Sequence, residues 1–105
     1  MPARPDSSPQ TRAVLRALHD HPAHWRYGYD ISRETGLASG TLYPILGRLS
    51  DRKLVETRWE EDPPEGRPRR HLYRLTADGV ARAVAVAQEP VAARVTRRRT
   101  ATEGA

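Results

Sequence analysis

The chain has 105 residues, a formal net charge of +5, nine prolines and no cysteine. That length corresponds to one domain, and the lack of cysteine excludes disulfides and thiolate metal sites. No apolar run approaches the ~20 residues of a membrane span and no signal-peptide pattern is present, so a cytoplasmic protein is expected, with a positive charge that favours an anionic partner such as nucleic acid.

Pro2, Pro5 and Ser7 mark residues 1–8 as a disordered arm. Ser8 followed by Pro9 has the form of an N-cap and first helical residue. Thr11, Val14, Leu15 and Leu18 then share one helical face, and Pro22 stops that helix. A short second helix is predicted over Tyr29–Thr35 with Ile31 inward, closed by Gly36 in the left-handed conformation with Leu37 folded back on the last turn. The third helix runs from around Ser39–Thr41 to about Arg52, with Leu42, Ile45, Leu46 and Leu49 as its apolar face. Pro44 costs least in a first turn, where amides have no intrahelical acceptor. A start near Gly40 or Thr41 follows, with Ser39 or Thr41 as its cap.

Val55, Thr57 and Trp59 alternate as a half-buried strand does. Three prolines and a glycine make "EDPPEGRPRR" a loop, and His71, Tyr73 and Leu75 share one face of the returning strand. Thr76 is the expected N-cap of a last helix, with Asp78 in its positive first turn. In that helix Val80, Val84, Ala87 and Val91 keep the spacing of a helix-pairing seam, while Pro90 bends or restarts it. Residues 97–105, with Arg97, Arg98 and Arg99, form a basic disordered tail.

Three helices, a hairpin with a charged loop and a closing helix spell a mainly α fold with a small β-hairpin: a winged helix-turn-helix with a two-stranded wing over residues 9–75, and a C-terminal dimerisation helix over 76–96. On periodicity alone, a small α+β domain that enters no groove remains the alternative.

"YGYDI", "GTLYPILGRL", "LVETRWEE" and "RRHLYRLTADG", in that order and spacing, resemble the PadR family of bacterial transcriptional regulators. The resemblance covers roughly Leu15 to Ala83 and is far more specific than any one motif. It implies a winged-helix domain that binds double-stranded DNA, a homodimer formed through the C-terminal helix, and repression sometimes relieved by a small-molecule inducer. The length is that of the short subtype with a single C-terminal helix. Two departures stand out: Ala38-Ser39 where the family often has Ser-Pro, and Gly47 where it often has a larger polar residue, which puts one base or phosphate contact in doubt.

Opposite the apolar face of the third helix lie Gly40, Pro44, Gly47, Arg48 and Asp51, flanked by Thr41 and Tyr43. Small residues there would let the helix backbone approach a DNA groove, while Ser39, Thr41 and free amides at the helix start could hold phosphate. The wing splits by sign, with Glu60, Glu61, Asp62 and Glu65 going out and Arg67, Arg69 and Arg70 returning. Arginine at such a tip could enter a minor groove.

His19, His21 and His24 fall close together, but Pro22 separates them and no cysteine or carboxylate cluster completes a metal site. No cofactor, catalytic motif or enzymatic activity is expected. Two competing readings are a winged-helix protein-interaction module without sequence-specific DNA binding, and a small-molecule sensor pocket at the dimer interface. The last helix has no aromatic residue, so Trp25 and Trp59 would have to serve a planar ligand.

Overall fold

The structure, a computed structural model, describes residues 8–89. The arm up to residue 7, Pro90, Val91 and the tail 97–105 lie outside the described residues. Helix α1 (Pro9–His19) begins as its sequence dictates: the Ser8 hydroxyl accepts the Thr11 N–H at 3.1 Å and Pro9 needs no acceptor. Its Thr11, Val14, Leu15 and Leu18 are buried.

A two-residue strand, β1 (Arg26–Tyr27), follows and leads directly into α2 (Gly28–Thr35). Gly36 closes α2 at φ +75°, and the Ser32 hydroxyl donates to the Leu37 carbonyl at 2.6 Å. Helix α3 (Ser39–Asp51) inserts Leu42, Ile45, Leu46 and Leu49 into the core. It ends in a double closure, with Lys53 N–H donating to Ser50 O at 2.9 Å and Leu54 N–H to Leu49 O at 2.9 Å. That closure needs a left-handed residue, normally glycine; here Lys53 takes the position at φ +61°.

Strands β2 (Val55–Trp59) and β3 (His71–Leu75) form the wing. The sheet is antiparallel in the order β1-β3-β2, so the expected two-stranded wing gains a third strand. Arg26 pairs with Tyr73, and Thr57 with Tyr73 on the other side. Only Val55 of β2 is buried. Thr57 and Trp59, expected half-buried, are exposed because the strand runs off the edge of the helical core.

Thr76 caps α4 (Ala77–Gln88), accepting the Gly79 N–H at 2.9 Å. The same residue reaches back: its hydroxyl donates to Lys53 O at 2.7 Å and its N–H to Leu54 O at 3.0 Å. A side chain at Gly79 would overlap the Leu54 carbonyl. The helix stops before Pro90 with Glu89 extended at ψ 153°, as the residue preceding a proline is driven to be. Ala83 and Val86 face the core, and Arg12 of α1 ties the end of α4 down through Glu89 at 3.2 Å and the Val86 carbonyl at 3.0 Å.

Candidate nucleic-acid interface

Burial of four leucine and isoleucine side chains fixes how α3 is rotated. Ser39, Gly40, Thr41, Tyr43, Pro44, Gly47 and Arg48 are therefore all exposed on its other side. The helix does not start late. Ala38 is the N-cap, without a side-chain cap bond, and its carbonyl accepts the amides of both Thr41 and Leu42. Neither Ser39 nor Thr41 caps it, and the Ser39 and Gly40 amides have no acceptor within the helix. Pro44 consequently stands in the second turn, where it gives no N–H to the Gly40 carbonyl.

Gly40 and Gly47 are the informative residues of this face. Neither has a positive φ, and a Cβ on either would meet nothing within 4 Å. Nothing among the described residues requires a glycine there, although glycine within a helix costs about 0.5–1 kcal/mol relative to alanine. No hydrogen bond or ion pair among the described residues engages the Arg48 guanidinium either.

Tyr43 is 45% exposed and leans on α2: a Cβ at Gly28 would lie 2.8 Å from its ring. Its ring centroid is 6.4 Å from that of Tyr73, and a row continues to His71 at 5.6 Å and to Trp59, stacked at 4.0 Å. Burial, and then the neighbouring Tyr43, push the Tyr73 hydroxyl above its usual range. Tyr27, Gly28, Tyr29, Tyr43, Arg70 and His71 line a cleft of about 370 Å³ between α3 and the wing base. Tyr29 is 62% exposed with the Arg33 guanidinium 5.7 Å from its ring centre. Sequence reasoning missed Gly28, Tyr29 and Arg33. A glycine between two tyrosines was their one trace, and its partner lies 15 residues away in α3.

The wing turns at Gly66, φ +83°, but its arginines do not project as a free basic tip. Arg67 donates to Glu60 at 3.0 Å, and Arg69 to the carbonyls of Glu60 and Glu61 at 2.6 Å each. Arg70 lies over the Tyr27 ring at 5.0 Å. The Arg58 and Arg74 guanidinium groups lie 4.6 Å and 4.3 Å from the Trp25 ring centre. Both tryptophans thus belong to the wing sheet and its approach rather than to α4. The expected seam on α4 divides: Val80 packs partly against the core, Val84 is 38% exposed and Ala87 is exposed. No group of three or more potential metal ligands occurs among the described residues, and no helix among them is long and apolar enough to cross a membrane.

The family model described as the transcriptional regulator PadR-like family matches residues 14–85. Among solved structures, a PadR-like transcription factor from Bacteroides fragilis is 27% identical with a TM-score of 0.60, over 90% of this chain and 87% of that one. The protein smu.1704 from Streptococcus mutans UA159 is 31% identical with a TM-score of 0.67, over 90% of each chain. S. aureus MepR in its DNA-binding conformation has the same fold at 17% identity and a TM-score of 0.64, over 95% of this chain and 67% of that one. No curated protein matches the sequence.

Proposed function

The chain belongs to the PadR-like family of transcriptional regulators, and from that premise we propose that it is a homodimeric repressor that reads a specific double-stranded DNA operator with the outer face of α3. The observation that carries this is the pair of exposed helical glycines. Gly47 weakens the helix it sits in, and neither it nor Gly40 serves a contact among the described residues, as residues do where another molecule must come close to the backbone. Arg48 beside them is an unengaged guanidinium of the kind that reads guanine in a major groove. Ser39, Thr41 and the first-turn amides are placed for phosphate, and Tyr43 with Pro44 fills the flank. Arg67, Arg69 and Arg70 carry the wing's share of the backbone contacts.

Val84 and Ala87, with Val91 beyond them, form the proposed seam between subunits, and Val80 borders it from the core side. Two recognition helices would then address half-sites about 34–36 Å apart, or a multiple of that. A groove of about 860 Å³ lies between α1 and α4, with Leu15, Ala17, Ala83 and Val86 among its lining and Arg12 and Arg16 beside them. It is the place we assign to a small-molecule inducer. Neither tryptophan lines it, so an inducer there would be held by aliphatic contact and by the two arginines.

Selection of bound duplexes from a random pool, followed by competition between the selected and random sequences, tests the reading. A selected sequence that outcompetes random duplex by a hundredfold or more is expected, since specific regulators exceed their non-specific binding by roughly 10³–10⁷. Equal competition would overturn sequence-specific reading and favour a protein-interaction module. Val84→Asp should yield monomers in light scattering; an unchanged dimer would remove α4 from the subunit contact.

A further inference from the structure

The wing loop places its acids unequally. Glu61, Asp62 and Glu65 are exposed, whereas Glu60 sits half-buried at the wing base with only 13% of its side chain accessible. Its carboxylate accepts the Tyr27 hydroxyl at 2.7 Å and the Arg67 guanidinium at 3.0 Å. Its backbone N–H donates to the Arg70 carbonyl at 2.8 Å, and its own carbonyl accepts Arg69 at 2.6 Å. All three returning arginines are thus tied to this residue, two by side chain and one by main chain. Tyr27 in turn anchors Glu60 to β1, the strand that leads into α2. The Arg67 and Tyr27 bonds hold the Glu60 carboxyl below its usual range, and the bond to Glu60 lifts the Tyr27 hydroxyl above its own. The cluster is a built arrangement of a carboxylate and its donors, not a solvated charge pair.

We propose that Glu60 is an internal competitor for DNA phosphate: it holds Arg67 in the free protein and so limits how strongly the wing grips duplex of any sequence. The inference rests on the DNA-binding reading above. A guanidinium that is already neutralised and hydrogen-bonded adds little attraction for a phosphate, because contact must exchange one anion for another. Released from Glu60, the same guanidinium becomes a full phosphate contact. Sequence-independent binding is where this matters most, since each such contact acts alike on operator and random DNA. Glu60 therefore raises specificity by suppressing the non-specific background, while α3 reads the bases.

The test is a double-mutant cycle on a random-sequence duplex, with the full chain titrated over a range of salt. Glu60→Gln keeps the shape and the acceptor oxygen but removes the charge. It should steepen the log–log salt dependence by about 0.9 per subunit, which corresponds to an approximately eightfold gain at 0.1 M salt relative to 1 M. Arg67→Ala should cost the parent less than it costs the Glu60→Gln background, where it should cancel the gain. A gain that survives Arg67→Ala would trace to general charge or to a loosened loop, and would overturn the proposal. So would an Arg67→Ala loss of equal size in both backgrounds, or no gain from Glu60→Gln while the parent still binds its operator. If neither parent nor Glu60→Gln retains duplex at low salt, the DNA-binding reading falls and this one with it.

Discussion

The outer face of α3 and the wing stand side by side, yet they present their chemistry in opposite states. On the helix, Arg48 has no partner among the described residues, and two glycines leave the backbone bare. In the wing, every returning arginine is engaged by an acid, a carbonyl or an aromatic ring. A bare, rigid face can discriminate, since its groups meet a partner without first giving up another. A self-satisfied loop holds its shape and attracts weakly. In the proposed function, that difference separates reading from gripping.

Gly47→Glu should break that comparison most strongly. The variant keeps its fold, because glutamate favours helix over glycine, but a carboxylate among phosphates costs several kcal/mol. Operator binding should fall by on the order of a hundredfold or more, measured by gel shift beside an unchanged circular dichroism spectrum. Parent-like affinity would mean that this face never meets DNA.

Arg48→Ala should come next, with a loss of about 1–3 kcal/mol on operator and much less on random duplex, as for a base-reading arginine. Arg69→Ala, at a guanidinium held by two carbonyls, should weaken both duplexes equally and by less. Equal losses at the two sites in competition assays would erase the distinction between helix and wing.

The glycines sharpen the same point through stability. Gly47→Ala should raise the unfolding free energy by about 0.5–1 kcal/mol. Gly28→Ala should lower it slightly, by less than about 1 kcal/mol, since the added methyl displaces the outer end of the exposed Tyr43 ring from its seat on α2. Denaturant titrations decide it, and the same sign at both positions would contradict the account.

The smallest effect expected is with pH. The Glu60 carboxyl is depressed in the folded chain, so its contribution is fully present above the ordinary carboxylate value of about 4.3. It is lost only as pH falls through the lower folded value. The Tyr27 ring signals in an NMR titration should shift with a midpoint below that ordinary value, and Glu60→Gln should abolish the step. A midpoint at the ordinary carboxylate value would show the contact to be solvated and weak.

Most of the helical framework was legible because its signals are local. The Ser8-Pro9 start, the Gly36 closure, the Thr76 cap and the Leu42, Ile45, Leu46, Leu49 stripe each lie within one element. What escaped depends on distant partners. Two residues are too short to show alternation, so β1 exists only through its pairing with β3. The exposure of Thr57 and Trp59 depends on where the helical layer ends, which strand periodicity does not encode. The start of α3 was misplaced by giving Pro44 the helix terminus it prefers, whereas packing of the leucines extends the helix past it. The charge split of the wing was visible, but not that Glu60 and Arg67 meet across the turn at Gly66.

Lys53 and Gly79 join two parts of the molecule that the sequence keeps apart. The turn after α3 is closed around a left-handed lysine, and the first turn of α4 is fastened to it by two bonds from Thr76. Gly79 lets the helix sit against that turn with no side chain between. The joint between the two helices is therefore a weld and not a hinge. Moving α4 away from the end of α3 would have to break both Thr76 bonds. If α4 forms the subunit contact, as proposed, the distance between two reading heads would be set like the jaw width of a fixed spanner. Such a tool tolerates one spacing, and an operator lengthened by a single base pair between its half-sites should no longer fit.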